Sequence, residues 1–516
     1  MEHEEHAHLV ELTPDDIHGK GLKKNVIGLP GSITIALASV APAFSLAATI
    51  GFLALEVGNQ APAVMIVAFI PILLVAFAYR ELNRVMPDSG TSFTWGTKAF
   101  GPWVGWMAGW GLAASGIIFV ANAADVVSNY TLQLFGADNL ADNKLVVIAI
   151  GVTFIVLMTW VTYRGLEGST KMQYGLVAIQ YIVLIVLAIV AIISAGNGSG
   201  VDGGQAFSWS WLNPLELSDW GSFTAAFLLA LFIYWGWDTA LAVNEETSNS
   251  TKTPGRAGVI STVLLLSLYL LVTVAVLMYA GLGDTNGLGN VDNAGDVFNL
   301  IAEPLLGSWG APLLVLTVLL STAAALQTTI MPTARGALAM GVYKAAPASF
   351  ARISPKFLTP SYATVLMGLV GTIFYVGLKL ISANILEDTI ASIGLAIAFY
   401  YGITAYACVW WFRKEIFLSV RNFFVLGLFP LLGGIILTAA FIRSAMDMVS
   451  PDYGNTSLFG VGGVFILGVG SLLFGVVLMV IYSRIAPPFF KGNTLHKDTP
   501  ILVREEVGLD EIPGVS

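Results

Sequence analysis

Residues 32–56 read SITIALASVAPAFSLAATIGFLALE, an uncharged apolar run that ends at Glu56 and carries Pro42 near its middle. About 20 apolar residues suffice to cross the hydrocarbon core of a bilayer as a helix, so this stretch is long enough to span one. Pro42 nevertheless removes a backbone donor and crowds the preceding turn, which makes Ser39-Val40-Ala41-Pro42-Ala43-Phe44-Ser45 a poor continuous helix. A second such stretch, Tyr234-Trp235-Gly236-Trp237-Asp238-Thr239, sets a glycine beside an ionisable residue inside another apolar run. Unwound backbone at membrane depth is tolerated only where it lines a cavity or a solvated path.

Outward from these two points the chain repeats the pattern. Apolar runs fall at 32–56, 61–79, 103–130, 145–162, 173–195, 222–244, 257–282, 311–333, 361–381, 391–412, 423–442 and 459–483. The 516 residues are 56% hydrophobic and 11% charged, too few charges to cover a soluble surface, where about 25% is usual. The runs do not alternate apolar and polar residues, which excludes an outer-membrane barrel. The expected fold is therefore an all-α polytopic membrane protein with twelve transmembrane helices.

Charge orients it. With the N-terminus inside, 21 of the 24 Lys and Arg fall on inside pieces, and only Lys144, Lys379 and Arg443 fall outside. The positive-inside rule then puts both termini in the cytoplasm, and the expected location is the plasma membrane. Residues 1–30 read as an acidic N-terminal tail and 484–516 as a polar C-terminal tail, with no core of their own. The glycine-rich pieces 196–205 and 282–295 read as loops or lids.

Several functions are excluded by residue type. All five histidines lie in the tails, so His-ligated haem and HExxH zinc chemistry within the membrane are out. No GxxxxGK[ST] loop is present for an ATP-driven pump, and Cys408 is alone, so no intramolecular disulfide forms. The net charge of −9 argues against nucleic acid as a partner. No Ser–His or paired-Asp nucleophile arrangement points to an enzyme. Interrupted segments at corresponding places in two halves are instead the pattern of a transporter with inverted repeats.

Motifs beyond the breaks carry a resemblance. Tyr79-Arg80-Glu81-Leu82, Met86-Pro87-Asp88-Ser89-Gly90 and Thr94-Trp95 follow the second run, and Phe100-Gly101-Pro102 and Gly109-Trp110 follow them. Glu245-Glu246-Thr247 with Pro254-Gly255-Arg256-Ala257 follows the sixth, and Leu319-Leu320-Ser321, Ala334-Arg335 and Phe350 to Pro360 belong to the eighth and its sequel. In that order they resemble the amino acid–polyamine–organocation superfamily of secondary transporters, over roughly residues 20–485. The resemblance implies a 5+5 inverted repeat of the leucine-transporter type over 31–412, helices 1 and 6 broken, two further helices over 413–483, and alternating access around the breaks.

Candidate site residues follow. Relatives specific for amino acids often have a Gly-Ser-Gly turn in span one to hold a carboxylate. Here Ser39, Ala41, Pro42, Ala43, Phe44 and Ser45 occupy that stretch, with one donor missing and a bulky ring present. Asp238 is costly at mid-membrane and should face water, a cation or a substrate, or cap the following half-helix. Ser115, Asn122, Asp125 and Asn129 share one face of span three, with Asp125 toward its outer end. The resemblance makes Phe232 an aromatic gate, with Trp235, Gly236 and Trp237 beside it. Some relatives carry a coupling lysine on span five where this chain has Gln180; Ser321, Thr328 and Thr329 are further candidates for a coupling ion. No cofactor is expected beyond a coupling H+ or Na+.

The expected activity is a permease for amino acids or related amines, symporter or antiporter. The alternatives are an importer of carboxylate-free amines such as polyamines, and, of another class, a channel. Expected partners are the small-molecule substrate and the lipid bilayer, with the protein a monomer or homodimer; the glycines of span twelve permit close helix contact.

Overall fold

A computed structural model describes residues 20–201, 204–217, 219–381, 385–454 and 456–501. Most of the acidic N-terminal tail, with four of the histidines, and the last part of the C-terminal tail lie outside the described residues.

Helices dominate. In chain order they are α1 (Leu29–Val40), α2 (Pro42–Val57), α3 (Ala61–Val85), α4 (Ser92–Phe100), α5 (Pro102–Leu134), α6 (Lys144–Tyr163), α7 (Leu166–Gly196), α8 (Trp220–Ile233), α9 (Thr239–Ala242) and α10 (Thr253–Ala280). There follow α11 (Val297–Val342), α12 (Ser361–Ile381), α13 (Ile385–Trp411), α14 (Val420–Asn422), α15 (Phe429–Asp447), α16 (Gly463–Ile485) and α17 (Pro487–Phe490). Proline opens many of them: Pro30, Pro42, Pro62, Pro102 and Pro254 sit in the first turns of α1, α2, α3, α5 and α10. Its fixed φ suits the first turn, and its missing N–H is one the helix could not have used.

Ten stretches are long and apolar enough to cross a membrane, the first of them, Leu29–Val85, taking in α1 to α3; Gly221–Ile233 is a shorter apolar helix. The range given for α11 holds two helices that meet at a kink at Gly307, whose φ of 69 and ψ of −179 are not helical, so a short helix precedes the one that contains the 311–333 read from hydropathy. A π-helical turn, Phe423–Leu428, joins α14 to α15.

The α5 helix is the axis of the bundle, packed on α11, α13, α12 and α6. The α1 helix touches α7, α10 and α11, and α2 touches α8 and α11. Leu145, Ile182, Ile373 and Phe474 are exposed apolar residues on α6, α7, α12 and α16, as expected of faces that meet lipid.

Neither tail is left loose where it is described. Residues 26–27 run beside 246–248, with Val26 N–H donating to the Glu246 carbonyl (2.8 Å) and Ser248 N–H to that of Ile27 (2.8 Å). After α16 the chain folds back under the bundle, burying Phe489, Phe490 and Leu495 against Phe93, Trp106 and Tyr343. The Lys98 ammonium on α4 donates to the carbonyls of His496, Lys497 and Thr499, and Thr494 Oγ donates to that of Tyr343.

Candidate functional site

The first interruption follows from Pro42. The residue before a proline is disfavoured in the α region, and Ala41 is left-handed, at φ 51 and ψ 67. An L-residue in that conformation costs about 1–2 kcal/mol, so the surrounding contacts must hold it there. Ala41 N–H donates to the Ala38 carbonyl (3.2 Å), and Ser45 N–H to that of Ala41 (2.9 Å). Ser45 Oγ donates to the carbonyl of Val40 (2.6 Å), which the break would otherwise leave bare. Phe44 N–H donates to Ser321 Oγ on α11 (3.3 Å), and that hydroxyl donates to Gln180 Oε1 on α7 (2.7 Å). The donors at the start of α2 are thus largely committed, Ala43 N–H being the one left by helix geometry.

The second interruption, residues 234–238, lies against the first. Gly236 has φ 113, and a Cβ there would stand 2.8 Å from the carbonyl carbon of Ser39. Only glycine combines that dihedral with so close an approach. Ser39 Oγ and Thr239 Oγ1 are hydrogen bonded at 2.8 Å, pinning the two breaks together.

Asp238 does not cap α9 with its side chain. Its carboxylate instead accepts from two phenols on α13, Tyr401 (2.9 Å) and Tyr400 (3.2 Å), and Trp235 Nε1 donates to Tyr400 O (2.6 Å). No cationic side chain pairs with Asp238 among the described residues. Trp237, buried with its N–H unpartnered, packs edge-on against Tyr79 (5.1 Å between centroids) and beside Tyr401 (5.6 Å).

Three further rings cluster beside the two interruptions. Phe44, Phe119 and Phe232 lie 6.0–6.3 Å apart, and Phe119 meets Trp235 at 5.4 Å. Beyond Phe44 is a cavity of about 250 Å³, also lined by Asp125, Asn129, Tyr130 and Asp296. Asp125 is paired there with Lys379 of α12 (2.5 Å). Asn122 is turned to the start of α13, donating to Thr389 Oγ1 (2.7 Å), and Ser115 bonds within its own helix. The four polar residues of span three therefore share a face, yet none of them bonds Asp238.

The coupling-ion candidates divide likewise. Gln180 and Ser321 are joined beside the first break, whereas Thr328 and Thr329 lie about two helical turns further along α11. Thr328 Oγ bonds the Ala324 carbonyl of its own helix (2.9 Å), and Thr329 Oγ is buried without a partner.

After α9 the chain enters a cluster of buried charges. Lys20 Nζ lies 2.7 Å from Asp88 and 2.6 Å from Glu245, all three side chains being buried, and Tyr343 OH donates to Asp88 (2.8 Å). Arg335 of α11 pairs with Glu246 at 2.5 Å. Burial opposes the charge on Lys20, but Asp88 and Glu245 outweigh it and hold the ammonium above its usual value. Burial also disfavours the Asp88 anion, yet Lys20, Thr94 and Tyr343 bring that carboxyl below its usual value; Glu245, under burial and the charge of Asp88, is raised. Tyr400, Tyr401, Phe119 and Lys20 were not separable in sequence from other buried aromatics or from tail lysines.

Apolar helices in a bundle, ten stretches of them long enough to cross a bilayer, with a buried carboxylate beside two helix interruptions, define a multi-pass membrane protein. A family model described as amino acid permease matches residues 27–484, and the chain belongs to that family, within the amino acid–polyamine–organocation superfamily. An uncharacterized transporter of Mycobacterium tuberculosis is 24% identical over 359 residues, 70% of this chain and 75% of that protein. The branched-chain amino acid permease BcaP of Lactococcus lactis is 27% identical over 212 residues, covering 37% of this chain and 42% of its own. The mitochondrial cationic amino acid transporter 3 of Arabidopsis thaliana is 23% identical over 323 residues, 60% of this chain and 50% of its own.

Proposed function

We propose that this amino acid transporter is a plasma-membrane permease working by alternating access, with twelve spans, the first ten in two inverted halves, and both termini cytoplasmic. Span one is α1 with α2, and span six is α8 with α9; the substrate sits where they are interrupted. The observation that carries this reading is Asp238, a buried carboxylate held by two phenols and no cation, directly beside both breaks.

The cavity above Phe44 is then the outer vestibule, and Phe44, Phe119 and Phe232 form the barrier a substrate must pass. Below it an ammonium group exchanges its hydration shell for the Asp238 carboxylate and the flanking aromatic faces, which favour cations. Lys20, Asp88 and Glu245 hold the cytoplasmic side closed. Release requires Lys20 to leave its two carboxylates, as α1 and α9 part from α3 and α11.

One observation favours amines without a carboxylate over amino acids. Pro42 offers no donor, and Phe44 N–H and Ser45 N–H already have acceptors, so little is left to cradle an anion. Two barriers in series around an enclosed site argue against a channel. The test is uptake into proteoliposomes of radiolabelled lysine, cadaverine and alanine, each with and without Na+ and pH gradients. Saturable, exchangeable uptake of lysine supports the permease, cadaverine alone supports the amine importer, and unsaturable flux of all three overturns both.

A further inference from the structure

A second cavity, of about 380 Å³, lies on the face that carries Lys20 and Lys23, with Glu246 of the buried charge cluster in its wall. Four cationic side chains line it from four parts of the chain: Lys23 on the N-terminal segment, Arg164 after α6, Lys171 on α7, and Lys356 before α12. Two carboxylates are also present. Glu246 is already committed to Arg335 (2.5 Å), and Glu167 is shared by Lys23 (3.0 Å) and Lys171 (3.2 Å). One carboxylate thus serves two lysines, while the contacts of Arg164 and Lys356 are with aromatic faces, Trp160 at 4.7 Å and Phe357 at 5.5 Å. The lining carries an excess of positive charge.

The backbone adds to it. The α7 helix begins at this cavity, and Gly165, Leu166, Glu167 and Gly168 of its first turn form part of the wall. No side chain caps that terminus, and an α-helix leaves its first N–H groups without partners inside the helix. Donors drawn from four parts of the chain suit an oxyanion with several acceptor oxygens better than a carboxylate with two. The cavity also adjoins the lipid boundary, since Trp160 beside Arg164 and Tyr174 on α7 are exposed apolar-bodied residues of the kind found at membrane interfaces.

We propose that this cavity is a binding site for a phosphate-bearing anion, held by Lys23, Arg164, Lys171, Lys356 and the first turn of α7. Its occupant joins the N-terminal segment, which carries Lys20 and Lys23, to α6, α7 and the segment before α12. An occupied site therefore reinforces the closed cytoplasmic side, and it does so whichever amine or amino acid is carried. The same chemistry is offered by an anionic phospholipid headgroup of the adjacent leaflet and by soluble inorganic phosphate.

The full chain in phosphatidylcholine nanodiscs, with and without phosphatidylglycerol, separates these sources. Retained lipid is counted by native mass spectrometry, and inorganic phosphate is titrated against the thermal melting of the phosphatidylcholine sample. Lys356→Gln and Arg164→Gln each weaken binding of the occupant by about fivefold, as expected for one basic residue near an anionic headgroup, and both melt as the parent does without ligand. Glu167→Gln, which frees two lysines, tightens it. Phosphatidylglycerol retained in this variant-dependent way assigns a lipid occupant, and phosphate-dependent stabilisation with the same dependence assigns the soluble one. Absence of both responses, or equal binding by parent and variants, overturns the proposal.

Discussion

Asp238 has an energetic problem that Tyr400 and Tyr401 solve only in part. Two phenols supply hydrogen bonds to the carboxylate but no charge, so the site is left one cation short. Asp238→Asn keeps the shape and removes that deficit. Because losing one member of a buried charge pair costs about 2–5 kcal/mol, the variant should raise the KM for a cationic substrate at least about thirtyfold while folding normally. Uptake at the parent's rate in proteoliposomes would remove Asp238 from the mechanism. Gln180 poses a different question, since its Oε1 meets Ser321 beside the first break while its amide nitrogen is unpartnered. Gln180→Lys introduces a fixed cation there, and any Na+ dependence of uptake should fall; unaltered sodium sensitivity counts against ion coupling at this position. Pro42, Gly236 and Asp238 could be read in the sequence because each breaks a local rule of an apolar helix. Tyr400, Tyr401 and Phe119 could not, since they obey every local rule and matter only through partners far away in the chain.

Among the elements, the two interruptions are a single structure, with Gly236 set against Ser39 and Thr239 bonded to it. Gly236→Ala forces both an unfavourable φ and a Cβ contact at 2.8 Å, and melting should show a loss of about 1–3 kcal/mol. A variant as stable as the parent would mean that the breaks yield independently. At the far end of α5, Tyr130 OH donates to Asp296, in the loop just before α11, at 2.5 Å. Burial pushes the Asp296 carboxyl from 3.8 up to about 6, only partly offset by Tyr130 and by Asn299 N–H. With the folded-state value above the unfolded one, the folded protein keeps the proton between these limits. Stability then falls as pH rises from about 4 to about 6 and levels off above. Asp296→Asn should remove that slope and gain up to about 3 kcal/mol at neutral pH, with little change near pH 4; parallel melting curves across this range would refute it. The existence and approximate extent of the long helices were legible from hydropathy alone. The ion pair of Asp125 with Lys379 was not, because charge at a helix end looks alike whether solvated or paired.

Over the whole molecule, the described parts of the two terminal segments are built into one face of the bundle, Lys20 on Asp88 and Thr494 and Thr499 on Tyr343 and Lys98. Composition marked them as polar segments with no core of their own, and the C-terminal one instead borrows a core, placing Phe489, Phe490 and Leu495 on Phe93, Trp106 and Tyr343. A chain ending at Ile485 exposes those rings, and at about 1.5–3 kcal/mol for each large apolar side chain it should be several kcal/mol less stable than the full chain and melt at a lower temperature. Melting at the parent temperature would show that this segment lies on the bundle without supporting it. The same contact sets the order in which the protein is made. Lys98 and the Thr499 carbonyl it holds are 401 residues apart, which at ribosomal speeds is about 20–80 s of synthesis. Throughout that interval the helices are entering the bilayer while Lys98 waits in water for acceptors not yet translated. The face that Lys98 closes is therefore completed only once residues 496–499 have been translated, and until then the bundle in the bilayer stays unsealed there.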